Sequence, residues 1–305
     1  MPKPNQAEES RPAPNQCPVC DRAEGREYYR NPLGNTYYRC GGCGCVFIDN
    51  TVAVAPYPVD ALDSARQRGG FAADLRSNKL WTYGRSHARW LLDYLADARL
   101  SSPPSALSVG CAFGHDLREL ADAGWRVLGI DHDQSFAVRA RHQHGLEVVH
   151  GYFEQVDFAQ RFDLVIMASV VPYLEDINRV MAKAASLVNP GGHLFISIRD
   201  MDYGDGREVL AYPTNVHARQ YFSRRSLARL LAKHGLTVSA VDAFVIRSPW
   251  PARWPVGLVK TLNRWGSLHD KLLNLGYRRW LRRGIDPFVS VPAVHGKQLR
   301  ILAVK

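Results

Sequence analysis

No stretch of this 305-residue chain approaches the roughly 18 consecutive apolar residues of a membrane-spanning helix. Residues 1–16 are polar and proline-rich, with acids among them and no apolar signal-peptide core. They read as a disordered lead, and a cytoplasmic protein with reduced thiols is the default expectation. Acid is in short supply: 29 Asp and Glu stand against 39 Lys and Arg, a formal net charge of +10. Cysteine is nearly absent beyond residue 45, where Cys111 is the lone example of six. Apolar residues are not scarce, at 46%, so the chain can bury a full core and has the length for one large domain plus a small one.

What the chain does contain is most informative between Ser105 and Asp131. A short apolar run (Ala106, Leu107, Val109) leads into Gly110, Ala112 and Gly114; an amphipathic segment follows at 116–123. A second apolar run, Arg126–Ile130, ends on Asp131. The pattern is strand, small-residue turn, helix, strand, carboxylate. Small residues let the backbone approach a ligand, and the carboxylate sits where it can accept two ribose hydroxyls. This is one nucleoside-binding half of a doubly wound sheet. The dinucleotide fingerprint G-x-G-x-x-G is missing here, and Asp116 at the helix start would repel a pyrophosphate.

Cys17-Pro-Val-Cys20 and Cys40-Gly-Gly-Cys43 are two C-x2-C knuckles nineteen residues apart. Four thiolates so spaced can surround one tetrahedral zinc. Between them, aromatic runs at 27–30 and 35–39 flank Asn31-Pro-Leu-Gly34, which predicts a hairpin and hence a zinc ribbon. A redox dithiol and a coincidental pair of free-thiol clusters are the competing readings. Four thiolates leave no open coordination position, so the metal would be structural. Cys45 is a spare thiol, and Cys111 reads as core packing beside the turn.

The turn at 108–114 resembles the first motif of the class I S-adenosylmethionine-dependent methyltransferases, roughly acid-x-Gly-x-Gly-x-Gly. It agrees at Gly110 and Gly114 and departs at Ser108, usually acidic, and at Ala112, usually glycine. Later landmarks of that family follow in order. Leu146–Val149 closes on His150-Gly-Tyr152-Phe153-Glu154, and Arg161-Phe-Asp163 opens an apolar fourth strand. Leu187-Val-Asn-Pro-Gly-Gly192 precedes a fifth strand, and Phe222–Leu227 starts the helix leading to the sixth. The resemblance implies an α/β fold: a doubly wound, seven-stranded Rossmann-like sheet with an antiparallel last strand (Gln298–Val304), preceded by the small zinc ribbon. It implies S-adenosyl-L-methionine as cofactor, its methionine end at Gly110, Ala112 and Gly114, its ribose at Asp131 and its adenine near Tyr152 and Phe153. The acceptor pocket is expected above strands four and five. There the Glu-His pair often found in the family is replaced by Pro172-Tyr173. Tyr173 and His217 are the candidate acceptor-side catalytic residues; a pocket wall and an exposed loop histidine are the plainer readings.

The expected organisation is a lead at 1–16, a zinc ribbon at 17–50, and a connector with a cofactor-lid helix at 51–100. The methyltransferase domain follows at 101–247 plus 297–305. In the lid, Tyr83 and Arg85 either reach the methionine portion or simply pack and face solvent. Residues 248–296 form an insertion with four tryptophans and eight basic against two acidic residues, a net +6. Val259, Leu262, Trp265, Leu268, Leu272 and Leu275 make a helical apolar stripe. That segment reads as a cap with a solvated basic face, as a surface for an acidic acceptor or anionic lipid headgroups, or as a nucleic-acid contact. A ribbon before such a domain resembles the zinc-binding methyltransferases of sugar, polysaccharide and natural-product pathways. The expectation is a methyltransferase acting on a small-molecule, sugar or glycan intermediate, lipid- or nucleotide-linked, working in the cytoplasm or at the inner face of the membrane. An RNA methyltransferase and a non-catalytic cofactor-binding scaffold are the alternatives.

Overall fold

In the computed structural model, residues 15–23, 25–31, 33–49, 52, 83–203, 210, 217–246, 288–291 and 298–305 are described. The helical stripe read at 256–275, and most of the lead and connector, lie outside them.

The aromatic runs between the cysteine knuckles form the expected hairpin, β1 (Gly25–Arg30) and β2 (Thr36–Cys40), paired antiparallel. Asn31 closes its turn: the side-chain oxygen accepts from the backbone N–H groups of Leu33 and Asn35 at 3.0 and 2.9 Å. β3 (Val46–Ile48) adds a third antiparallel strand.

The second sheet is built from the apolar runs that follow. β4 (Ser105–Val109), β5 (Arg126–Asp131), β6 (Val148–His150), β7 (Phe162–Ala168) and β8 (Val188–Arg199) run parallel. β4 and β7 are covered on both faces, which is why they read as near-continuous apolar stretches rather than alternating ones. The Asn-Pro-Gly-Gly turn is absorbed as an irregularity within β8: Phe162 lies opposite Val188, but Leu164 lies opposite His193. β9 (Gln220–Tyr221) leaves this domain to pair with β3, so the ribbon sheet has the order β1-β2-β3-β9. β10 (Thr237–Ile246) and β12 (Gln298–Val304) complete the seven strands, with β12 antiparallel between β8 and β10. An eighth strand, β11 (Phe288–Val291), pairs along β10. It comes from within the segment 248–296 read as a helical insertion. The order is β11-β10-β12-β8-β7-β4-β5-β6.

Helices lie on both faces: α1 (residues 83–94), α2 (His115–Asp122), α3 (Gln134–His144), α4 (Ile177–Leu187) and α5 (Arg224–Lys233). Three of them start on side-chain caps, Asp133, Asp176 and a Ser223–Ser226 capping box. Leu91 of α1, Leu95 just after it and Leu120 of α2 pack on Leu164, Ile166 and Phe195. On the opposite face Val180, Met181, Leu227 and Leu231 cover Leu107, Val109 and Met167. Cys17, Val19 and Phe47 of the ribbon belong to this second core, so the ribbon is fused to the domain rather than tethered to it. Among the described residues, no helix is long and apolar enough to cross a membrane.

Candidate functional site

The four knuckle cysteines converge. Their sulfur atoms all lie within 4.8 Å of one another, with Cys17–Cys43 at 3.5 Å and Cys20–Cys40 at 3.4 Å. Four thiolates at about 2.3 Å from one zinc stand about 3.8 Å apart at tetrahedral angles, so the donor set fits that ion. The buried Cys45 lies beside them.

The sheet's carboxyl edge opens into a cavity of about 490 Å³, and the 108–114 turn forms one end of it. Gly110 has φ +66°, and a Cβ there would stand 2.6 Å from Val170 Cγ2, so glycine is required on two counts. Ala112 holds the left-handed conformation too, at φ +48°, although it is not glycine. Its N–H donates to Asp131 Oδ2 at 2.8 Å, while Oδ1 accepts from the N–H of Asp133 at 2.9 Å. Asp131 is thus fixed at the end of β5, with one further lone pair on each oxygen. Burial pushes its pKa up, against the two N–H donors. Gly114 starts α2 in the left-handed region. Next to the turn, Ser108 Oγ donates to Asp116 Oδ2 at 2.7 Å, both side chains buried and both lining the cavity. Cys111 packs with Leu117 and Ala137, and burial pushes its thiol pKa far up, which suits a core residue and not a nucleophile.

The other end is assembled from distant segments: His87, Pro172, Tyr173, Arg199, Tyr221 and Gln298. Tyr173 sits on a 3-10 turn, Val171–Tyr173, that follows β7. Gln220 clamps this turn, its amide donating to the carbonyls of Val171 and Leu174, each at 2.9 Å. The N–H of Arg219 donates to the carbonyl of Pro172 at 2.8 Å. Gln220 and Tyr221 are in turn held by β3, through Phe47 and Val46. Tyr37 of the ribbon secures the same stretch, its hydroxyl donating to the carbonyl of Ala218 at 2.7 Å. Burial pushes the Tyr37 pKa up to about 12 and raises that of Tyr221 further, so neither phenol is a base near neutral pH.

Gly110, Ala112 and Asp131 line the cavity, as does Tyr173; Gly114 does not, its Cα facing Leu146 and Ala140. Tyr152 and Phe153 take other places. Tyr152 is 56% exposed and stacks on His132, with ring centroids 5.5 Å apart. Phe153 turns into the core against Phe158, under the Lys183 ammonium. His132 lines the cavity; the two aromatics do not. His217 is half-buried two residues before Arg219 and is likewise not among the lining residues. Tyr83 lines the cavity, while Arg85 pairs with Glu119 of α2 at 3.3 Å. His115 lines the turn's side.

Sequence reading missed His87. Its Nδ1 accepts from Arg300 Nε at 3.1 Å, which places the ring proton on Nε2. Burial, with the guanidinium beside it, holds its pKa well below the ordinary histidine range, so the ring is neutral. Arg300 also reaches Asp242 and Ser86 and lies 4.3 Å from the centre of the Phe244 ring. The paired Ser86-His87 and the arginine inside the alternating last strand were the available signals.

Residues 80–241, more than half of the chain, match the methyltransferase domain family. The ubiquinone biosynthesis O-methyltransferase of Nitrobacter winogradskyi is 25% identical over 177 residues, covering 53% of this chain and 65% of that protein. The protein of the same name from Coxiella burnetii (strain RSA 331) is 30% identical over 97 residues, 30% of this chain and 42% of that one. The chain thus spans less than two thirds of the length of these relatives. Among solved structures, it is similar in fold to a chain of the complex between the Haloferax volcanii Trm112 methyltransferase activator and a methyltransferase. The TM-score there is 0.51 at 18% identity, over 77% of this chain and 95% of that one. Sheet order, glycine turn and family match agree: the chain belongs to the methyltransferase domain family, with the Rossmann-like fold of the S-adenosylmethionine-dependent methyltransferases and a four-cysteine ribbon before it.

Proposed function

We propose that this protein transfers the methyl group of S-adenosylmethionine to a small-molecule acceptor, a sugar or glycan intermediate carried on a lipid or nucleotide phosphate. One observation carries the reading. A single cavity joins the Gly110–Asp131 turn to a chamber of aromatic, amide and cationic side chains. Its volume of about 490 Å³ falls in the range of small-ligand pockets, roughly 300–1,000 Å³. The likeness to ubiquinone biosynthesis O-methyltransferases supports a small acceptor.

The sulfonium of the cofactor supplies an electrophilic methyl group, which leaves the protein mainly a task of positioning. The turn at Gly110, Ala112 and Gly114 would take the methionine end and Asp131 the ribose hydroxyls. His132, with Tyr152 stacked on it, would border the adenine, and Phe153 would back that wall from the core. Tyr173 would hydrogen-bond the acceptor or take its proton; it faces the cavity, whereas His217 does not line it. The four thiolates would hold zinc with no open position, so the ion would support the ribbon rather than act on the acceptor. The basic, tryptophan-rich segment 248–296 would meet the carrier phosphate or an anionic membrane surface.

The test is labelled-methyl transfer from S-adenosylmethionine into fractionated cell extract. Label in small molecules or glycan intermediates that drops about a hundredfold in Tyr173→Phe supports the reading. Label confined to RNA contradicts it, as does none in any fraction.

A further inference from the structure

Asp116 is 6% exposed and lines the cavity from the first turn of α2. Among the described residues, two other acids pair with arginine and a third is held by several hydroxyl and amide donors. Asp163 accepts from Ser101, Ser105 and Asn189, outside the cavity. Asp200 meets Arg224 at 3.0 Å and Asp242 meets Arg300 at 3.3 Å. Asp116 is held by neutral donors: Ser108 Oγ on Oδ2 at 2.7 Å, the N–H of Leu117 on Oδ1 at 2.9 Å, and its own backbone N–H. Among the described residues, no lysine, arginine or histidine pairs with it. With three donors on about four lone-pair sites, the carboxylate keeps an open acceptor position.

A buried carboxylate without a cation is costly to keep charged. Burial pushes the Asp116 pKa up, against the Ser108 and N–H donors. Gly84 brings α1 close over the start of α2: a Cβ there would stand 2.8 Å from the backbone nitrogen of Asp116. The carboxylate itself lines the cavity. Asp131, the other carboxylate of that cavity, has both oxygens held by N–H groups at the end of the neighbouring strand, in the geometry suited to neutral hydroxyl donors. The two acids have different work to do. Ser108, meanwhile, stands where an acid would project from the end of β4, and it gives its hydroxyl proton to Asp116.

We infer that Asp116, oriented by Ser108, is the binding residue for the α-ammonium group of the cofactor, the carboxylate having been relocated from the strand end to the first turn of α2. This rests on the cofactor reading above. An ammonium can donate an N–H to the open acceptor position of Asp116, whereas a sulfonium has none to give. A charge-assisted bond of this kind is worth about 1.5–3 kcal/mol, or about ten- to a hundredfold in affinity.

The experiment is calorimetric titration of the zinc-replete full chain and of Asp116→Asn with three probes. S-adenosylmethionine carries ammonium and sulfonium, S-adenosylhomocysteine carries only the ammonium, and 5′-methylthioadenosine carries neither. The expected result is a loss of at least tenfold for the first two in Asp116→Asn, with 5′-methylthioadenosine unchanged within twofold. Retained binding of that third probe also shows that the variant is folded. An equal loss for all three would overturn the inference, because Asp116 would then only shape the turn. A loss for S-adenosylmethionine alone would overturn it in favour of a sulfonium contact. If the wild-type chain binds none of the probes, it is the cofactor reading that falls.

Discussion

The two ends of the cavity are made in opposite ways. The end proposed for the cofactor is local: residues 108–136 supply the turn, both carboxylates and Phe136, and β4 and β5 present them side by side. The end proposed for the acceptor is collected from α1, the turn after β7, the ends of β8 and β9 and the start of β12. It has no frame of its own. Its Tyr173 turn is clamped by Gln220, and Gln220 is held by the third strand of the ribbon. The ribbon, remote in sequence from the cavity, thus supports the wall that carries Tyr173.

The largest expected effect separates the two ends. Stripping metal from the zinc-replete protein, or Cys40→Ser, should unfold the ribbon and release β9, because binding energy of a structural zinc is folding energy. Calorimetry should show several kcal/mol of lost stability, while S-adenosylhomocysteine affinity falls by no more than a few-fold. Equal loss of both would erase the distinction between the ends.

Next comes Gly110→Ala. It combines left-handed strain of about 1–2 kcal/mol with a Cβ placed against Val170, overpacking worth about 1–3 kcal/mol. Denaturant unfolding should register about 2–5 kcal/mol in sum, and cofactor binding should disappear, since Val170 lines the cavity beside the turn.

Asp163 joins the start of β7 to the loop before β4 and to β8, outside the cavity. Despite its burial, the Ser101, Ser105 and Asn189 donors hold its pKa below the ordinary aspartate value. A depressed folded pKa contributes stability that is full above the unfolded value, about 3.9, and is lost as pH falls through the folded one. Asp163→Asn should therefore cost about 1–3 kcal/mol at pH 7 and flatten the acid limb of the stability curve below pH of about 4. An unaltered acid limb would place the titration elsewhere.

The smallest effect concerns Ala112, an alanine at φ +48°. Ala112→Gly relieves left-handed strain but loosens the unfolded chain, so a gain of no more than about 1 kcal/mol is expected in unfolding curves. Cofactor affinity should hold or tighten.

What could be read beforehand follows the same division. The apolar runs, the glycine turn and Asp131 are contiguous, so periodicity and spacing were enough to place them. The cysteine knuckles were equally plain, because four ligands for one ion must converge. Less legible was everything whose partner lies far along the chain. Tyr37 meets Ala218 across 181 residues and Arg300 meets His87 across 213. A two-residue strand such as Gln220–Tyr221 has no periodicity to read. Adjacent Tyr152 and Phe153 looked equivalent as adenine neighbours. Only the packing decides that one faces solvent and the other the core. The strand Phe288–Val291 was hidden behind the helical stripe that precedes it.

The most direct test of the central claim is titration of the zinc-replete chain with S-adenosylmethionine, repeated on Asp131→Ala. The account predicts binding in the wild type and a loss of at least about tenfold in the variant, as expected when charge-assisted bonds to a buried carboxylate are removed. Wild-type binding that survives the substitution unchanged, or no wild-type binding at all, would contradict it.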